Sequence, residues 1–146
     1  MDDLIYKMHE VLGTALVLYH NTQGFHWNVT GESFYQAHKL FQDQYEEQFA
    51  AYDAIAENIR ALDEIAPQSL VTLLKKSRIQ TIEHADGVGF KDMCAALVEQ
   101  HDVMIYLMNE ALELAVSHKE QGLANFLGGR LEEHQKQRWM LKSSAQ

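Results

Sequence analysis

His26-Trp27-Asn28-Val29-Thr30-Gly31-Glu32-Ser33-Phe34 joins two long stretches of helical periodicity, and how it is read decides the fold. Upstream, Leu4, Met8, Val11, Leu12, Ala15, Leu18 and Tyr19 recur at three- and four-residue steps. They form one apolar face of a first helix from about residue 3 to about residue 28. Thr30-Gly31 breaks that helix. Ser33 with Gln36 resembles a capping box opening the next one. Phe34, Ala37, Phe41, Tyr45, Phe49, Tyr52, Ile55 and Ile59 carry the period on to about residue 62.

Pro67-Gln68-Ser69 can start a short helix through Leu70, Leu73 and Leu74. Asp86-Gly87-Val88-Gly89 reads as loop. A third long helix is expected from about Lys91 to Lys119, with Met93, Leu97, Met104, Leu107, Met108, Ala111, Leu112 and Ala115 inward. A fourth covers about 123–142, with Leu123, Phe126, Leu127, Leu131 and Trp139. Four long helices and one short one between the second and third describe an all-α bundle. The short segment lets the chain travel the bundle's length, so that helices two and three run parallel. Residues 1–146 read as a single domain, without repeats or low-complexity tracts.

No apolar stretch is long enough to span a bilayer. The start, Met1-Asp2-Asp3-Leu4, lacks the basic and apolar regions of a signal peptide, so a cytoplasmic protein is expected. Cys94 is the only cysteine, which excludes an intrachain disulfide and a multi-cysteine zinc site. Its apolar neighbours suggest a buried, inert thiol. A net charge of −9 should repel nucleic acid.

His26, His38, Asp53 and Glu57 carry the candidate chemistry. Asp53 and Glu57 are four apart and share a helix face. His38 and Asp53 lie on one side of the second helix, yet about 22 Å apart along its axis. One chain cannot close both around one ion. Two copies of the helix packed antiparallel across a two-fold axis can. The histidine end of one then meets the carboxylate end of the other, and His26 joins His38 across the Thr30-Gly31 turn. Two imidazoles with two carboxylates suit ferrous iron, with zinc and manganese as alternatives. A site inside the bundle of one chain needs Glu-x-x-His on two helices. Glu99-Gln100-His101 and Glu132-Glu133-His134 lack that spacing, so this architecture is disfavoured. His101-Asp102 reads as a surface pair, with a proton relay as the alternative. His9, His20, His84, His118 and His134 have no partner in the sequence.

The run from His26 to Phe34, then His38, then Asp53-Ala54-Ile55-Ala56-Glu57-Asn58-Ile59-Arg60, resembles the Dps family, the ferritin-like mini-ferritins named for DNA protection during starvation. So does the end, Glu132-Glu133-His134-Gln135-Lys136-Gln137-Arg138-Trp139-Met140-Leu141. The resemblance covers nearly the whole chain. It implies a ferritin-like four-helix bundle assembled as a hollow homo-dodecameric shell. It also implies a ferroxidase that oxidises Fe(II) with hydrogen peroxide, or more slowly with dioxygen, stores the ferric mineral and protects against oxidative stress. In this family the site joins His26 and His38 of one subunit to Asp53 and Glu57 of another. Trp27, beside a ligand, then reads as an electron donor or as interface packing.

The chain departs from the family at four places. Gln42 stands where a carboxylate is common; as a neutral ligand it leaves open whether the centre holds one iron or two. Gly24 should loosen the first helix near its end. Asn125 replaces an acidic residue near a three-fold pore. The short acidic N-terminal arm lacks a Lys-rich DNA-binding tail, so DNA binding is not expected.

Overall fold

A computed structural model describes residues 1–146 as five helices without a strand: α1 (Asp2–Asn28), α2 (Phe34–Ala61), α3 (Leu70–Lys76), α4 (Phe90–Ser117) and α5 (Gln121–Ser144). The expected element order is present, including the short helix between the second and third long ones. No helix is long and apolar enough to cross a membrane.

Side-chain contacts fix the helix directions. Phe25 packs on Phe41 and Tyr19 on Tyr45 at tilted ring angles, with centroids 6.0 and 6.2 Å apart, so α1 and α2 are antiparallel. Lys7 pairs with Glu110 at 2.9 Å and Asn21 with Gln100 at 3.0 Å, so α4 also runs against α1. It follows that α2 and α4 are parallel, as expected, and the chain between them must cover the bundle's length. It does so along α1. A Cβ on Gly13 would lie 2.4 Å from the Leu73 carbonyl, so glycine allows α3 to sit backbone-to-backbone on α1. Ser69 caps α3 by accepting from the Thr72 amide. Further on, the Arg78 amide donates to Thr14 Oγ1, and Asn21 donates to the Gln80 carbonyl while accepting from the Ile82 amide. These bonds satisfy the extended backbone as it crosses the bundle.

Two local expectations fail for identifiable reasons, and one helix end lies two residues before its approximate expected position. Ser33 is the N-cap residue of α2 but makes no side-chain cap bond, because its ψ of 18° is not the extended geometry that a cap requires. Gly24 does not loosen α1. Asn28 Nδ2 donates to the Gly24 carbonyl and the Val29 amide to Phe25, and together these bonds hold the last turn. The third long helix stops at Ser117 instead of Lys119, since Lys119 is left-handed at φ 61°. The Lys119 and Glu120 amides close the end on Val116 and Ala115, a Schellman motif built without glycine.

The apolar core joins all five helices. Leu4, Met8, Leu12, Leu18, Phe41, Ile55, Ile59, Leu73, Met93, Leu97, Met104 and Leu107 are fully buried. Each such side chain contributes about 1.5–3 kcal/mol from burial. Cys94 is completely buried, and burial pushes its thiol pKa up to about 12, which makes it the inert core group expected.

Candidate metal centre

His26 belongs to the last turn of α1 and His38 to the second turn of α2. The five residues between the helices fold the two rings onto each other, with centroids 3.8 Å apart and planes 13° from parallel. Each ring is held by the other's backbone. His26 Nδ1 donates to the His38 carbonyl and His38 Nδ1 to the His26 carbonyl, both at 2.8 Å. Carbonyls in the last turn of a helix lack intrahelical partners, and the His26 carbonyl gains one here. A carbonyl can only accept, so both Nδ1 atoms carry hydrogens. In the neutral rings both Nε2 lone pairs are therefore free. Imidazole ligands are commonly oriented in this way, with one nitrogen fixed by a backbone acceptor and the other turned to the metal.

Asp53 and Glu57 are exposed on α2. Within one chain no three histidine, cysteine or carboxylate side chains gather around a common point. The protomer thus has its candidate nitrogen ligands near one end of α2 and its candidate oxygen ligands nearer the other, about 22 Å apart by helical rise. Gln42 is half-buried between them, and its amide donates to Glu46 at 2.9 Å. Trp27 is 58% exposed and packs edge-on to His20, with centroids 6.0 Å apart.

Two features escaped the sequence reading. Tyr45 lies edge-on to His26, with ring centroids 5.1 Å apart, and leans on Tyr19 at 6.2 Å. Its seven-residue offset from His38 places it two turns further along the same side of α2, which was the available signal.

The second feature is a polar cluster inside the bundle. His101 and His134 are buried, with their Nδ1 atoms 3.0 Å apart. Arg130 bonds His134 Nε2 at 3.1 Å and grips both carboxylate oxygens of Glu47 on α2. Gln137 donates to Glu47, accepts from Gln48 and takes Gln44 on its carbonyl. His101-Asp102 is therefore not a surface pair. His101 turns inward, while Asp102 stays exposed and binds Arg138. The apolar frame around each histidine carried the signal: Leu97, Met104 and Met108 flank His101 on its face, and Leu127, Leu131 and Leu141 flank His134. Burial holds both imidazoles well below their ordinary pKa, His101 at about 3, and the Arg130 charge adds to this. Arg130 places a fixed cation in the bundle's interior, where a metal ion would meet repulsion.

The chain matches the ferritin-like domain family over residues 5–146. An uncharacterized low temperature-induced protein of Nostoc is 32% identical over 142 residues, which cover 96% of this chain and 78% of that protein. DNA protection during starvation protein 2 of Bacillus anthracis is 29% identical over 127 residues, covering 87% of this chain and 86% of the relative. Dps of Thermosynechococcus elongatus superposes with a TM-score of 0.94 at 26% identity, over 99% of this chain and 91% of that one. Dps of Vibrio cholerae, described as a member of a broad superfamily of ferritin-like diiron-carboxylate proteins, superposes at 0.92 with 27% identity, over 99% and 90%. A family match spanning residues 5–146, with Dps proteins that superpose over almost the whole chain, leaves one assignment: the chain belongs to the ferritin-like domain family and, within it, to the Dps proteins.

Proposed function

We propose that this protein is a cytoplasmic ferroxidase of the Dps type. It binds ferrous iron between subunits, oxidises it with hydrogen peroxide or dioxygen, and keeps the ferric product inside a dodecameric shell, limiting oxidative damage. The observation that supports this most is the reciprocal bonding of His26 and His38. It leaves two parallel imidazoles with free Nε2 atoms on the face of α2 that also bears Asp53 and Glu57.

Antiparallel pairing of two α2 helices would bring that imidazole pair to the partner's carboxylates, with the two-fold axis crossing near Glu46. Phe49, 57% exposed, lies close to this crossing and would gain burial. Two carboxylates would neutralise a bound Fe(II) and, as hard oxygen donors, favour the Fe(III) formed from it. Peroxide accepts two electrons, so two ferrous ions oxidised together yield water without releasing hydroxyl radical. Gln42 offers only a neutral oxygen and is engaged with Glu46, which weakens the second iron position. Where one iron acts alone, a side chain must supply the second electron. Trp27 is one candidate donor. Tyr45, edge-on to His26, is the better placed within the protomer. The net charge of −9 opposes DNA, and a gel shift at low salt without divalent cations tests that expectation.

The decisive experiment is complementation between subunits. Two chains, His26→Ala/His38→Ala and Asp53→Ala/Glu57→Ala, should each be inactive in rapid peroxide-driven iron oxidation. Unfolded together and reassembled, they should recover about a quarter of the wild-type sites, because half the dimers are mixed and each mixed dimer has one intact site. No recovery in verified mixed shells would refute a site shared between subunits.

A further inference from the structure

We propose that the buried His101–His134 contact is an acid-labile joint: on acidification it opens and detaches α5 from α2 and α4, while the α1–α2 hairpin stays packed. The inference concerns the apo-protein and does not depend on the iron reading.

Hydrogen-bond roles in the joint are fully determined. A guanidinium only donates, so Arg130 Nη2, 3.1 Å from His134 Nε2, makes that nitrogen an acceptor. Neutral His134 then carries its proton on Nδ1 and gives it to His101 Nδ1, 3.0 Å away. The His101 proton is left on Nε2, which is buried without a partner. Only two sites can take another proton. On His134 Nε2 it would point at the Arg130 N–H, and on His101 Nδ1 at the His134 N–H. Either proton turns an attractive contact into a repulsive one inside a dry core. The intact joint therefore requires both rings to be neutral.

The surroundings reinforce this requirement. From α2 the cluster is faced by the Glu47 carboxylate, which is committed to Arg130 and Gln137. From α4 comes Asp102, which favours a proton on His101 but is exposed and paired with Arg138. From α5 come Arg130 and Arg138, which oppose it, and Glu133, which bonds Gln137. No charged group of α1 acts on either ring. Desolvation dominates, and both rings titrate below their ordinary value. The sign follows. The opened state takes up protons first, so stability is complete above about pH 6.5 and is lost as pH falls towards the folded-state values. Each ring contributes up to about tenfold per pH unit to the opening equilibrium, and both together about a hundredfold.

Opening should be local because this network is the polar strut between α2 and α5. Gln44, Glu47 and Gln48 all reach α5 through Gln137 or Arg130. The α1–α2 hairpin is held by its own aromatic contacts, which do not involve the two rings of the joint.

Native-state hydrogen exchange on the apo-protein at neutral pH and at about pH 5.5, corrected for intrinsic rates, tests the joint. That window lies above most carboxylate titration. We expect amides around Arg130–Gln137 and His101 to lose at least tenfold more protection than those of α1. His101→Gln/His134→Gln keeps a donor and an acceptor at each position without a titrating group and should abolish the difference, and His134→Gln alone should halve its logarithm. His9 is partly buried and shifted in the same direction, but it is present in every variant and cancels. Equal losses in wild type and double variant, or α1 and α5 losing protection together, would overturn the proposal. Should the variants not fold, wild-type imidazole resonances decide. Rings that take up protons with an ordinary midpoint while α5 stays protected would rule the joint out.

Discussion

The chain contains two histidine pairs built from the same ring and turned to opposite uses. In His26–His38 each Nδ1 is bonded to a backbone carbonyl, and both Nε2 atoms are left for a ligand. In His101–His134 the Nδ1 atoms bond each other, and Arg130 takes the remaining acceptor. What differs is the partner of Nδ1. A carbonyl can accept from a histidine in either charge state, so the first pair tolerates metal or a proton at Nε2. A second imidazole accepts only while neutral, so the other pair becomes a structural contact with a pH limit. The nitrogen that faces away from a histidine's chemistry thus determines what that chemistry is.

The comparison predicts separable losses. The largest should follow Asp53→Asn/Glu57→Gln, which keeps shape but removes the anionic half of the proposed interfacial site. Rapid iron oxidation, followed by stopped-flow absorbance, should fall on the order of a hundredfold or more. Both side chains are exposed in the protomer, so protomer stability should change by no more than about 0.5 kcal/mol. A large stability loss with oxidation preserved would reverse the two roles.

Arg130→Ala should do the opposite. It leaves His134 Nε2 and the Glu47 carboxylate without their donor. With Glu47 one-third exposed, its charge is partly solvated, which sets the loss at about 2–3 kcal/mol in urea unfolding. The initial rate of iron oxidation should be unchanged wherever the shell remains assembled. If that rate falls in intact shells, the core cluster and the proposed interfacial site are coupled.

The sequence revealed these two regions unequally. The bundle was legible because apolar residues at three- and four-residue steps report directly on helix faces, and because Thr30-Gly31 interrupts them at one point. The residues of the proposed interfacial site stood out because a short turn necessarily brings His26 near His38, while Asp53 and Glu57 sit one turn apart. The histidines' exchange of carbonyl bonds did not, since it depends on where α1 ends to within one residue, and Gly24 pointed to an earlier loosening than occurs. The core pair was missed for a different reason, although each histidine stands in an apolar frame. His101 and His134 lie on separate helices, and each is next to charged neighbours, Asp102 and Glu133, which suggest a solvated surface. Only the packing of α4 on α5 turns both rings inward.

Gln42 provides a smaller test. Its amide holds Glu46 where a carboxylate would offer an anionic oxygen to a second ion. Gln42→Asp should raise anaerobic Fe(II) binding from about one to about two ions per site, at most a twofold effect. An unchanged stoichiometry would show that residue 42 does not control the second position.

The smallest effect should come from Tyr45→Phe, and it is the sharpest probe of what the interfacial pair is for. The substitution keeps the ring edge that packs on His26, so the imidazole geometry and the initial oxidation rate should be preserved. It removes only the phenolic hydroxyl, and with it the readily oxidised group. If one iron reduces peroxide alone, it releases hydroxide and a hydroxyl radical, and a phenol beside the ligand converts that radical to water while becoming a tyrosyl radical. Tyr45→Phe should then lose a tyrosyl signal in freeze-quenched paramagnetic resonance and release more radical to a spin trap, with its oxidation rate intact. In Gln42→Asp, where two irons can act together, the same change should have little consequence. The two substitutions are therefore expected to be non-additive. Additive effects would mean that Tyr45 packs against His26 without taking part in its redox chemistry.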